Sequence, residues 1–182
     1  MLKRMIKKLL NYSALFISVI ILSSCSSIDV QTYANYKPVM KPEVFFTGPM
    51  TAHGVIKNRA GKVIRYFNAN LKGSWNGESI TLDEDFIFDD GEKQKRIWTI
   101  TKQPDGSYIG RAGDVVGDAI GSISGNSMFL KYVLAIPYKG RTIYITIDDR
   151  MYLVEPNILI NESTMSKFGV NVGQIILVIN KN

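Results

Sequence analysis

The chain has 182 residues, 22 of them Lys or Arg and 16 Asp or Glu, with one histidine and one cysteine. That inventory excludes a zinc or iron site built from His and Cys ligands and an internal disulfide. The formal charge of +6 is unevenly spread: four basic and no acidic residues fall in the first 24, so the remainder carries only +2. No basic stretch with interleaved aromatics, the footprint of a nucleic-acid binder, remains there.

Lys3, Arg4, Lys7 and Lys8 precede an apolar run, Ala14 to Leu22, that is too short for a permanent spanning helix. This is the layout of a secretory signal over residues 1–24. The segment Leu22-Ser23-Ser24-Cys25 resembles the lipobox of bacterial lipoproteins, and the only cysteine of the chain falls at the acylated position. Cleavage before Cys25 and lipidation of its thiol are the expectation, with the covalent lipid as membrane anchor and no other cofactor. In such lipoproteins an aspartate after the cysteine favours the inner membrane. Ser26 stands there instead, so the expected location is the periplasmic face of the outer membrane.

Residues 25–44 are polar, contain Pro38 and Pro42, and read as a flexible tether. A single domain follows over 45–182. Thr51–Asn58 is the first strand candidate. Val63, Arg65, Phe67, Ala69 and Leu71 then share one parity; Ile80, Leu82, Glu84, Phe86 and Phe88 share another face, with Asp83, Asp85 and Asp89 opposite. Period-two alternation of this kind marks half-buried strands. Further strands are predicted over Arg96–Thr101, Tyr108–Ala112, Ala119–Ser124, Met128–Ile136, Thr142–Val154, Ile158–Glu162 and Gln174–Asn180. The breaks carry turn chemistry: Asn76-Gly77, Asp89-Asp90-Gly91, Pro104-Asp105-Gly106 and Lys139-Gly140. Ser163–Phe168, followed by Gly169, is the one stretch read as a short helical turn. Successive strands with short connections imply an all-β antiparallel meander, and about nine or ten of them most simply close into a lipocalin-like barrel with little helix.

Little in the chain suggests catalysis. His53 has no Gly-x-Ser-x-Gly elbow to serve and reads as a surface or structural histidine. The clusters Asp83-Glu84-Asp85 and Asp148-Asp149 are split between strand faces by alternation, which argues for solvated faces over a calcium site. The glycines from Gly110 to Gly125 are followed by no Lys-Ser or Lys-Thr and open no helix, so they form no phosphate cradle. The informative charges lie on apolar faces: Glu84 between Leu82 and Phe86, Arg96 beside Trp98, and Arg65 between Val63 and Phe67. A lone buried charge costs several kcal/mol, so each of these needs a partner or water. Glu84 and Arg96 flank one turn and are expected on neighbouring strands. They either pair to hold the barrel together or anchor the polar head of a ligand inside it.

The set Phe46-Thr47-Gly48, Gly73-Ser74-Trp75, Leu82-Asp83-Glu84-Asp85-Phe86, Arg96-Ile97-Trp98, Gly113-Asp114-Val115-Val116-Gly117, Asp148-Asp149-Arg150-Met151-Tyr152 and Ser166-Lys167-Phe168-Gly169 resembles an uncharacterised family of proteobacterial lipoproteins, domain of unknown function 3833. The resemblance covers about Phe45 to Lys181, with Arg150 where the pattern leads one to expect an aromatic. Gly73-Ser74-Trp75 is similar to the lipocalin Gly-x-Trp, displaced to the end of the second strand candidate. The expectation is a non-enzymatic, membrane-anchored barrel that binds a lipid-like or amphipathic small molecule. Glu84, Arg96 and Arg65 are the candidate polar anchors and Trp98 and Phe86 their apolar neighbours. The alternative is an envelope interaction module with a filled barrel, docking through exposed Tyr132, Tyr144 and Tyr152.

Overall fold

A computed structural model describes residues 28–182 of the protein; the signal segment and Cys25 lie outside the described residues. Ten strands form a closed, all-antiparallel ring in which sequence neighbours pair in turn and β10 closes on β1. They are β1 Gly48–Asn58, β2 Val63–Trp75, β3 Ser79–Phe88, β4 Lys93–Lys102, β5 Tyr108–Arg111, β6 Ala119–Ser124, β7 Ser127–Tyr138, β8 Arg141–Glu155, β9 Ile158–Lys167 and β10 Val170–Lys181. This is the expected up-and-down, lipocalin-like barrel. Alternation sets the facing throughout: in β3, Ile80, Leu82, Glu84 and Phe88 are buried while Thr81, Asp85 and Ile87 are exposed.

The hairpin turns β1–β2, β3–β4, β7–β8 and β9–β10 gather at one end, which we call the top, together with the longer β5–β6 connection. The remaining turns lie at the bottom. Ser163–Phe168 is not a helical turn. Strand β9 runs to Lys167, and Phe168 and Gly169 take φ of 52° and 76°. Two successive positive φ values build the hairpin turn whose twist matches its strands.

The supposed tether is, from Ile28 on, packed against the barrel. A 3₁₀ turn, Val30–Tyr33, and a one-turn helix, Pro42–Phe45, lie on the lower wall and across the bottom. Val30, Met40, Phe45 and Phe46 are buried there. The physical reason is that a barrel this wide leaves an apolar floor exposed unless something covers it. Two glycines make the cover fit: a Cβ on Gly73 would lie 1.7 Å from the Phe46 carbonyl oxygen, and one on Gly125 1.7 Å from that of Tyr33. Glu43 of the short helix fastens the floor from the side, 3.3 Å from Lys102 Nζ and accepting the Tyr108 hydroxyl at 3.0 Å. Above this cover Met50, Ile80, Met128, Ile147 and Leu159 fill the lower barrel.

The ring has one weak sector. Strand β5 has four residues, and its ladder with β4 covers only Thr99–Lys102. Above that, Lys93–Ile97 pair with β3 alone. Facing them is the β5–β6 connection, bound on its other side to β7 by Ala135 N–H donating to Asp114 O (2.8 Å) and Val116 N–H donating to Val133 O (2.9 Å). The upper wall therefore has a slit between β4 and this connection.

Candidate functional site

The barrel encloses a cavity of about 870 Å³ that runs from Phe46, Met128 and Ile179 near the floor up to Arg65, Phe88 and Ile136, and reaches the slit. Its size falls within the range of small-molecule pockets, roughly 300–1,000 Å³. An aromatic group lines one side: Phe67, Phe86 and Phe88 have ring centroids 5.8 Å apart for Phe67 with each neighbour and 6.3 Å for Phe86 with Phe88. Leu134, Ile136, Met165 and Leu177 line the other. Across the slit the cavity touches Lys95, Ile97 and Ala135 as well as inward-facing Arg96 and Leu134, so residues of both facings contribute.

At mid-height the apolar wall is interrupted by a polar belt. Glu84 and Arg96 are directly opposite each other in the β3–β4 ladder, as expected. The closest approach of their charged groups is nevertheless 3.9 Å, Arg96 Nη1 to Glu84 Oε2. Arg96 is held more tightly by Asp114 across the slit: Nε lies 3.0 Å from both carboxylate oxygens and Nη2 2.7 Å from Oδ2. From the far wall comes Asp149 on β8, which accepts the Tyr132 hydroxyl at 2.8 Å through Oδ2. β3 and β8 stand five strands apart in either direction around the ring, so Glu84 and Asp149 project from opposite walls. Ser163, whose hydroxyl donates to Asn161 Oδ1 at 2.9 Å, completes the far side. Trp98 meets Tyr132 edge to face at 5.2 Å beneath the belt.

Burial dominates the electrostatics. It pushes the Glu84 carboxyl up to about 7; Arg96 pulls it down, Asp149 and Asp114 push it further up, and the Trp98 indole pulls it down. Burial likewise raises Asp149, against the pull of Ser163, Tyr132, Asn161 and Arg96. For Arg96, burial works against the charge, but the Asp114 hydrogen bonds and the negative neighbours outweigh it and raise the pKa. Glu84 Oε2, Asp149 Oδ1 and Arg65 Nε are buried without a geometrically formed hydrogen bond.

Of the residues singled out in the sequence, Glu84, Arg96, Arg65, Trp98 and Phe86 all line this cavity. Arg65 sits in its upper part, with its guanidinium 3.6 Å over the Phe88 ring and Nη2 bound to Asp90 (2.7 Å) and Glu92 (2.6 Å). His53 is exposed, with Nδ1 2.6 Å from Asn68 Oδ1. Asp83 and Asp85 face out, 2.7 Å and 3.2 Å from Lys95 Nζ, and Asp148 faces out 3.2 Å from Arg150 Nε. Among the described residues no group of three or more His, Cys, Asp or Glu is placed to hold a metal. Tyr132 is not an exposed docking aromatic: it is 8% exposed inside the barrel, whereas Tyr144 is 58% exposed on the outer wall. Tyr152 is half-buried against Tyr33 of the N-terminal cover, ring centroids 5.3 Å apart.

The place of Asp149, Tyr132 and Asp114 in the cavity went unrecognised in the sequence. The parity of β8 does place Asp149 on the face of Ile147 and Met151, a signal that was present. Asp114 lies in a glycine-flanked connection where no periodicity operates.

The chain is a ten-stranded meander barrel of lipocalin-like architecture with a covered floor and an unfilled, partly polar interior. The chain belongs to the family described as protein of unknown function (DUF3833), which it matches over residues 19–181. No curated protein matches it. Among solved structures it is similar to the S-type phycobiliprotein lyase CPES from Guillardia theta, with 12% identity, a TM-score of 0.48, and 86% of this chain and 98% of that one covered. It is also similar to the redesigned β-barrel mFAP0 bound to DFHBI, with 12% identity, a TM-score of 0.41, and 75% and 99% covered.

Proposed function

We propose that the protein is a lipid-anchored component of the bacterial cell envelope, held at the periplasmic face of the outer membrane through Cys25, and that its barrel binds an amphipathic, lipid-like small molecule without catalysing a reaction on it. The observation that carries the binding reading is the cavity of about 870 Å³ above a well-packed floor. A barrel serving only as a scaffold fills its interior with side chains. Here the upper half is walled by Phe67, Phe86, Phe88, Leu134 and Ile136, and charged groups cross the cavity at mid-height, which suits a tail in the chamber and a head in the belt. The same volume weighs against the filled interaction module.

The test is uptake of a neutral solvatochromic dye such as Nile red. The wild type should bind with a blue-shifted emission. Ile136→Trp, which puts a bulky side chain into the chamber, should abolish the shift while leaving the far-ultraviolet circular dichroism unchanged. A wild type that takes up no dye, and carries no lipid in native mass spectrometry, would overturn the reading.

A further inference from the structure

We propose that the belt selects ligands with a cationic, hydrogen-bond-donating head, such as a primary ammonium or an amidinium, seated between Glu84 and Asp149. This deepens the binding reading above and rests on it.

The argument begins with which charges are already answered. Three cationic side chains line the cavity, and each already holds a carboxylate, although Arg65 Nε is itself buried without a hydrogen-bond partner. Arg96 is clasped by both oxygens of Asp114, Arg65 by Asp90 and Glu92, and Lys95 by Asp83 and Asp85. An anionic head would therefore meet cations that already hold carboxylates, with two further carboxylates beside them. Two carboxylates of the belt are less fully answered. Glu84 and Asp149 both line the cavity and are 9% and 7% exposed, and one oxygen of each, Oε2 and Oδ1, is buried without a hydrogen-bond partner. Glu84 has Arg96 only at 3.9 Å. Leaving such an oxygen unmatched is unfavourable, the more so when it is charged.

A head with several N–H donors satisfies both walls at once, and a positive charge balances the excess of carboxylates over guanidinium. Tyr132 and Ser163, which spend their hydroxyl hydrogens on Asp149 and Asn161, are left as acceptors for the same head. Because burial and the neighbouring carboxylates hold the Glu84 carboxyl at about 7 in the protein alone, a bound cation would draw its proton off. Binding near neutrality should then release protons.

The experiment compares three chain-matched probes, octylammonium, octanoate and octanol, by isothermal titration at pH 8. The full chain is used and, in parallel, residues 28–182, whose barrel closes on itself within that segment. Octylammonium should bind at least ~10-fold more tightly than the other two, as one charge-assisted contact gives. Glu84→Gln and Asp149→Asn should each remove most of that advantage and leave octanol unchanged; Asp118→Asn, on an exposed residue outside the cavity, should change nothing. If Glu84→Gln fails to fold, proton release read from the buffer dependence of the binding heat at pH 7 gives the same information on the wild type. Equal or tighter binding of octanoate or octanol overturns the cationic head and leaves the binding reading standing. So does an ammonium preference that survives both substitutions. Failure of all three probes together with Nile red overturns the binding reading itself.

Discussion

Arg96 stands directly opposite Glu84 in the β3–β4 ladder, yet its guanidinium turns across the slit to Asp114, at 2.7 Å against 3.9 Å. The alternation that puts both residues inside the barrel does not make them each other's main partner. Urea-denaturation double-mutant cycles should read this directly. Arg96→Met with Asp114→Asn should couple by about 1–3 kcal/mol, the range of hydrogen bonds to charged groups. Arg96→Met with Glu84→Gln should couple more weakly. A larger coupling to Glu84 would contradict the observed geometry.

Glu84 also sets a pH dependence. Its folded carboxyl titrates at about 7, against about 4.3 in an unfolded chain, so between these values the folded state holds the extra proton. The stabilisation is fully present below about pH 4.3 and is lost as pH rises through 7, amounting to about 4 kcal/mol. Asp149, also raised, acts in the same direction. Glu43, Asp90, Glu92 and Asp105 are lowered and act oppositely, withdrawing stability as pH falls through their folded pKa values. Maximum stability should therefore fall on the acid side of neutrality. Glu84→Gln should flatten the decline between pH 5 and 7; an unchanged slope in that variant would show that the carboxyl is already ionised there.

The floor depends on Gly73. Gly73→Ala places a methyl group 1.7 Å from the Phe46 carbonyl oxygen and should cost about 2–4 kcal/mol, because the cover must lift off β2. Gly113→Ala, which meets nothing within 4 Å, should change stability by less than about 0.5 kcal/mol. Comparable effects at the two positions in a denaturant titration would remove the special role of the Phe46 contact.

Anchoring rests on Leu22-Ser23-Ser24-Cys25. Cys25→Ala should leave unprocessed precursor, and labelled palmitate, incorporated by the wild type, should no longer enter the chain. Normal processing and labelling of that variant would end the lipoprotein reading.

Most of the barrel was legible because its strands are half-buried and alternate cleanly. Ala119–Ser124 was delimited as observed, and Ile80 to Phe88 gave both the strand and the inward face of Glu84. What escaped depends on closure. That Asp149 and Tyr132 meet the Glu84–Arg96 wall follows from the ring order of ten strands, and no local period carries ring order. The N-terminal cover was misread for a related reason. Polar residues and two prolines look like linker, and the burial of Val30, Met40 and Phe46 exists only once there is a floor to cover.

The slit has a consequence for contacts with other proteins. A closed ring offers no place for a visiting peptide to add itself as a further strand, but along Lys93–Ile97 one side of β4 has no neighbouring strand. An extended segment of another chain, or the same strand of a second copy, would find backbone groups there to pair with. The residues at this position are Lys93-Gln94-Lys95-Arg96-Ile97. Lysines on a free edge are a common means of keeping strands from joining. The gap beside the cavity is thus bordered by Lys93 and Lys95, charges of the kind that disfavour the addition of a further strand.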